Sequence, residues 1–148
     1  MPVPRGETEF SSSDPGFWDE SALWKIHKAG GAELVGKLCG LFLEEAGQRV
    51  DDLRSSVLWS DVKRVAHGFK TNCRMMGAEK MADLCHELVV RSEKGVPPEG
   101  SGVTADEAAD LSRWVDELQA AYQEIQVRIE QIHEAALRGE TPPGTPPD

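Results

Sequence analysis

Apolar residues recur at steps of three and four along almost the whole chain, which is the spacing of an amphipathic helix. No segment alternates apolar and polar residues for long enough to predict a strand. The length of 148 residues fits a single domain, and 39% of the residues are hydrophobic, which is enough for one modest core. The pattern therefore predicts an all-α domain.

Glycines, prolines and capping residues divide this pattern into one short helix and four longer ones. The expected helices are residues 17–29, 32–55, 62–76, 79–94 and 105–138. Gly30-Gly31 separates the first two helices, and Thr104 with Glu107 has the spacing of a capping box before the last. Because short connections favour antiparallel neighbours, we expect an antiparallel up-and-down four-helix bundle with an additional short N-terminal helix.

Proline-rich segments lie at both ends of this helical region. Residues 1–15 and 140–148 carry prolines at a density that neither a helix nor a strand ladder tolerates. We expect a disordered N-terminal tail and a disordered Pro-rich C-terminal tail around a helical bundle domain of residues 16–139.

The charge of the chain excludes several kinds of partner. Acidic residues outnumber basic ones by 26 to 16, for a formal net charge of -10. General nucleic-acid binding needs a basic footprint, and anionic membranes attract basic surfaces, so we expect neither partner. No apolar run approaches the roughly 18 to 20 residues of a membrane-spanning helix, and no apolar export signal is visible.

The cysteines favour a reducing compartment. Cys39, Cys73 and Cys85 are odd in number and widely spaced, which is typical of free thiols and not of a disulfide framework. We therefore expect a cytoplasmic protein. Cys73 and Cys85 fall on apolar stripes, so buried thiols are expected there, and no metal site is predicted.

An exposed histidine within a cluster of cations is the most informative local feature. On a helical wheel, His67 lies roughly 140° from the centre of the apolar stripe, so its ring is expected to reach solvent. Four basic residues, here called the basic strip, share that side of the helix or the adjoining row: Lys63, Arg64, Lys70 and Arg74. Thr71 lies beside them, and side chains at these spacings are neighbours.

This arrangement suits reversible phosphorylation of the imidazole. A largely neutral ring at pH 7 has a free nitrogen that can attack phosphorus. Adjacent cations disfavour protonation of the ring and offset the charge of an added phosphoryl group. Gly68 leaves space beside the ring for a partner's active site. The alternative is an ordinary solvated helix face, balanced by acids on neighbouring helices.

Three segments carry a resemblance to a known family. They are residues 66–73 (Ala-His-Gly-Phe-Lys-Thr-Asn-Cys), Gly77-Ala78, and residues 84–88 (Leu-Cys-His-Glu-Leu). Together with the upstream Leu-Phe-Leu of residues 41–43, they resemble the histidine phosphotransfer (HPt) family of two-component phosphorelays. In this resemblance His67 matches the phosphoacceptor and Lys70 its basic neighbour.

The resemblance implies a phosphocarrier that relays a phosphoryl group between His67 and receiver-domain aspartates. Its partners would be a response-regulator receiver domain, a hybrid sensor histidine kinase, or both. No cofactor is implied for this chain, since Mg²⁺ would belong to the receiver, and no ATP site is expected, so the chain would not be an enzyme. The residues expected to contact the phosphoryl group or the partner are Lys63, Arg64, Gly68, Thr71 and Arg74. We expect a monomer.

Departures from the family pattern keep other interpretations open. Thr71 replaces a glycine, and Asn72 and Cys73 replace two small serines. Val89 stands where a polar residue is usual, with Arg91 as a candidate substitute. One alternative is therefore a non-phosphorylated adaptor of the same fold that binds a receiver domain or kinase. Another is an oligomeric helical scaffold built on the long last helix.

Overall fold

Four helices account for most of the computed structural model, which describes residues 18–94 and 102–143. They are α1 (Ser21–Ser55), α2 (Trp59–Met75), α3 (Glu79–Lys94) and α4 (Ala105–Leu137). These residues contain no strand, only an isolated bridge between Leu58 and Gly102. The predicted all-α class is therefore confirmed over the described ranges. None of the helices found there combines the length and the apolarity that crossing a bilayer requires.

Helix α1 covers both of the first two predicted helices. Gly31 lies inside it with φ 71° and ψ -169°, outside the helical region, in a conformation that glycine reaches without a steric penalty. The predicted division at Gly30-Gly31 thus corresponds to a local irregularity, with helical residues on both sides of it. The expected start at Phe17 lies outside the described residues.

The helices pack into a bundle around a continuous apolar core. Helix α2 lies along α3 and α1 lies along α4, with further contacts between α1 and α2 and between α3 and α4. Phe42 of α1 stacks on Phe69 of α2 at 6.1 Å between ring centroids, and its edge meets Tyr122 of α4, also at 6.1 Å. The predicted apolar stripe of α2 is fully buried: Val62, Val65, Ala66, Phe69, Cys73 and Met76.

The turn between α2 and α3 is locked against the segment that precedes α1. Gly77 has φ 80°, and its carbonyl accepts a 2.7 Å hydrogen bond from the Asp19 amide. A Cβ at Gly77 would overlap the Asp19 carbonyl oxygen, so only glycine fits there. The buried Trp18 indole donates to the Met76 carbonyl at 3.0 Å. These contacts fix how α3 leaves α2, and therefore which side chains of the two helices meet.

Both ends of α4 are held by specific contacts. The predicted capping box is present, because the Thr104 hydroxyl accepts from the Glu107 amide at 3.2 Å and the Glu107 carboxylate accepts from the Thr104 amide at 2.9 Å. Beyond α4, the carbonyl of Pro143 accepts from the Trp24 indole at 2.9 Å, and Pro142 is buried. The predicted N-terminal tail, and the rest of the C-terminal one, lie outside the described residues.

Candidate functional site

His67 lies near the middle of α2 with its side chain exposed. Its position follows from the helix itself, since Val65, Ala66 and Phe69 face the core and leave residue 67 on the outer side. The predicted exposure of the ring is confirmed. A cavity of about 340 Å³ opens elsewhere in the bundle, lined in part by Trp59 and Trp114, and His67 does not line it. The exposed ring therefore stands on the outer surface of α2.

The backbone on either side of His67 leaves room for an approaching molecule. A Cβ built at Gly68 would meet no atom within 4 Å. The exposed Thr71 turns its hydroxyl back along the helix and donates to the His67 carbonyl at 3.3 Å. A phosphoryl oxygen is an acceptor, so Thr71 would have to give up this bond before donating to one.

Acidic side chains pair with three of the four cations of the basic strip. Lys63 pairs with Glu93 of α3 at 2.9 Å, and Arg64 pairs with Asp61 at 3.3 Å. Arg74 contacts carboxylates of α3 at 2.8 and 3.5 Å, from Glu79 and Asp83 respectively. The surface thus combines the predicted cations with the balancing acids of the alternative interpretation. Exposed pairs of this kind add little to stability, but each acid offsets the charge of one cation of the basic strip.

Lys70 is the one cation of the basic strip that forms no ion pair with a described carboxylate. Within residues 18–94 and 102–143 no carboxylate lies within 4.0 Å of its ammonium group. It lies three residues after His67, a spacing that makes the two side chains neighbours on the helix surface. Lys70 is therefore the cation most available to an anion placed on the His67 ring.

A family model described as Hpt domain matches residues 37–136, which contain α2, α3, the second half of α1 and nearly all of α4. The chain belongs to the Hpt domain family. Comparisons with curated proteins and with solved structures gave no match. Hpt domains take part in histidine phosphotransfer in phosphorelays, typically with receiver domains and kinases, and they are phosphocarrier modules, not classical enzymes.

Two departures of this Hpt domain from the family pattern have a structural role. Asn72 donates its side-chain amide to Glu45 at 3.2 Å and so ties α2 to α1. Cys73 is buried and its thiol contacts that of Cys85, so that burial first, and then this neighbour, raises the pKa of Cys73. Both sites stabilise the packing of α2. The three cysteines are free, as predicted, and all three are buried, although burial was predicted only for Cys73 and Cys85.

Two residues of α3, Val89 and Arg91, were singled out from the sequence as a departure and its candidate substitute. Val89 is buried, with 8% of its surface exposed. Arg91, the candidate substitute, stacks its guanidinium 4.8 Å from the centre of the Trp114 ring on α4. Arg91 is thus committed to a contact with α4. Residue 89 is therefore apolar and buried in this Hpt domain, where the family pattern has a polar residue.

Glu93 of α3 was not singled out from the sequence, yet it lies at the site. The hydrogen bond and the charge of Lys63 lower its pKa, and smaller electrostatic contributions come from His86 and His67. One carboxylate is therefore close to Lys63 and within electrostatic range of two histidines. The spacing of seven residues between His86 and Glu93, which puts both on one face of α3, is the sequence signal that could have revealed it.

The described residues around His67 form no candidate metal site. Across the two described ranges, no three side chains of His, Cys, Asp or Glu gather in a group that could hold an ion. The described residues at the site are one exposed imidazole, the cations around it and the acids that pair with them.

Proposed function

We propose that this chain is a histidine-containing phosphotransfer protein, in which His67 relays a phosphoryl group to and from receiver-domain aspartates in a two-component phosphorelay. The observation that carries the proposal is the exposed His67 ring on α2, inside the family match, with Lys70 beside it and open space at Gly68. An open surface suits this chemistry because the partner's active site has to close over the ring.

The transfer step needs little from this chain beyond a positioned nucleophile. The unprotonated nitrogen of a neutral His67 ring attacks the phosphorus of an aspartyl phosphate. The P–N bond forms as the P–O bond to the aspartate breaks, and the electron pair leaves on the carboxylate. Lys70 offsets the charge of the phosphoryl oxygens, and Mg²⁺ belongs to the receiver. Lys63, Arg64 and Arg74 then steer the acidic receiver site towards His67.

The architecture that we propose around this site is the antiparallel up-and-down bundle. The short connection of residues 76–78 supports it for α2 and α3, which pack against each other. The helical part of α1 before Gly31 serves as the additional N-terminal helix. We propose a domain of residues 16–139, a monomeric state and a cytoplasmic location.

A second candidate function is a non-phosphorylated adaptor that binds a receiver domain or a kinase. Two observations favour it: Val89 removes a polar contact from α3, and Thr71 adds bulk and holds its hydroxyl against the helix. An adaptor binds its partner in a stable complex and forms no phosphohistidine.

A phosphotransfer assay separates the two candidates. A panel of receiver domains carrying radiolabelled phosphoaspartate is mixed with the wild type, His67→Gln and His86→Gln, the last being the matched control because His86 is also an exposed helical histidine. We expect acid-labile, alkali-stable label on the wild type and on His86→Gln, and none on His67→Gln. Label on His67→Gln overturns the assignment of the site, whereas tight binding of a receiver without any label supports the adaptor.

A further inference from the structure

Two lysines flank His67 on α2, and they differ in what they contact. Lys63 lies four residues before His67 and Lys70 three residues after it, so each is its neighbour on the helix surface. Lys63 is held by Glu93 of α3 at 2.9 Å. Lys70 has no carboxylate within 4.0 Å in residues 18–94 and 102–143. One of the two nearest cations is therefore already neutralised before any phosphoryl group arrives.

The carboxylate that pairs with Lys63 is brought to the part of α2 that carries His67. Lys63 and Glu93 expose 50% and 52% of their side chains, so their pair lies at the surface where α2 meets α3, and Lys63 is about one helical turn from His67. His67 and His86 both contribute to the lowering of the Glu93 pKa, which agrees with this placement. A phosphoryl group on His67 would thus be added within electrostatic range of an existing negative charge.

We propose that Glu93 is a positioning residue that holds Lys63 away from the phosphoryl group and so biases His67 towards passing the group on to a receiver aspartate. This rests on the proposed function of His67. In the favoured direction, the P–N bond to His67 breaks as the P–O bond to the aspartate forms, and the electron pair returns to the ring nitrogen. Glu93 destabilises the phosphohistidine state of His67 in two ways. Its own negative charge repels the phosphoryl group, and its ion pair keeps Lys63 from that group.

The expected shift of the phosphoryl equilibrium between His67 and the receiver aspartate depends on the solvent exposure of the Lys63–Glu93 pair. A phosphoryl group carries about -1.5 to -2 charges at pH 7. The interaction takes place at a solvated surface, where screening keeps each charge contribution small. Removing the Glu93 charge and releasing Lys63 should therefore shift the His67–aspartate equilibrium towards phosphohistidine by about three- to tenfold.

The test measures that equilibrium constant for one receiver with the wild type, Glu93→Gln and Glu87→Gln. Glu87 is the matched control because it is an exposed acid of the same helix on a different face. We expect the three- to tenfold shift for Glu93→Gln and less than about a twofold shift for Glu87→Gln. Glu93→Asp keeps the charge and should stay near the wild-type value. Equal constants for the wild type and Glu93→Gln would overturn the inference.

A second pair of variants tests whether Glu93 acts through Lys63. Without Lys63, Glu93→Gln can remove only its own charge, so the shift between Lys63→Gln and the double variant should be clearly smaller than the shift in the wild-type background. A shift of the same size in both backgrounds contradicts the positioning role. A purely structural pair would change the unfolding midpoint and leave the equilibrium constant unmoved. If the wild type takes up no label at all, the proposed function fails and this inference falls with it.

Discussion

Replacing Gly77 by alanine tests how the turn between α2 and α3 is built. Gly77 has φ 80°, where an L side chain costs about 1–2 kcal/mol. Its new Cβ would overlap the Asp19 carbonyl oxygen and come within 3.1 Å of the Ala22 Cβ. The hydrogen bond between the Asp19 amide and the Gly77 carbonyl would have to open to make room for the Cβ. Overpacking of this kind destabilises a protein by about 1–3 kcal/mol, which adds to the conformational cost. We expect Gly77→Ala to lose about 2–5 kcal/mol of unfolding free energy in total.

Gly31→Ala is the matched control for this substitution. Gly31 also has a positive φ, of 71°, with ψ -169°, but a Cβ there meets no atom within 4 Å, so only the conformational cost of this glycine region, about 1–3 kcal/mol, applies. Urea unfolding followed by far-UV circular dichroism gives the unfolding free energy of both variants. The dependence of that free energy on urea concentration should be similar in the two, because they expose similar surface on unfolding. If Gly77→Ala loses less than about 2 kcal/mol, which the conformational cost alone explains, the steric argument at Gly77 is refuted.

Three further predictions concern the site, the last helix and the thiols. Gly68→Ala should raise the free energy of urea unfolding by about 0.5–1 kcal/mol, because alanine favours a helix over glycine and the new Cβ meets no atom of the protein. The same variant should transfer phosphate more slowly, because the Cβ occupies space that the partner needs. Slower transfer together with lower stability would contradict this prediction. Thr104→Ala should cost about 1 kcal/mol at neutral pH. The Thr104 amide and then the Trp59 indole lower the pKa of Glu107. The Glu107 contribution is therefore full above the ordinary carboxyl pKa and is lost as pH falls through the lowered one, so wild-type stability should fall in acid titrations. The Thr104→Ala deficit should change little there, because the variant keeps the backbone amide that binds the Glu107 carboxylate. Burial raises the pKa of Cys39 to about 11, so a thiol reagent at pH 8 should label it only after denaturation.

Periodicity predicted the helices well, because burial of one face is a local property of the sequence. The expected range 79–94 is that of α3, and the capping residues Thr104 and Glu107 act as predicted. The irregularity at Gly31 was located correctly, but the pattern could not tell a break from a single non-helical residue inside α1. That outcome depends on how the two halves of the helix pack.

The charge balance around His67 could be predicted only in part. A helical wheel gives the exposure of the ring and the position of Lys70, because both depend on one helix. The partner of Lys63 depends on the register between α2 and α3, which is set by the contacts at Gly77 and is not visible in the spacing of either helix. The sequence therefore overstated the positive charge of the surface and missed Glu93.

The identity of the phosphorylated atom tests the central claim most directly. Long-range proton–nitrogen correlation spectra of the ¹⁵N-labelled protein, taken before and after phosphorylation by a receiver domain, resolve the ring nitrogens of its four histidines. We predict that phosphorylation converts one imidazole to a phosphorylated ring and that this signal is absent from His67→Gln. A phosphorylated ring that persists in His67→Gln, or spectra in which no ring changes while an aspartate or a serine carries the phosphate, would contradict the account.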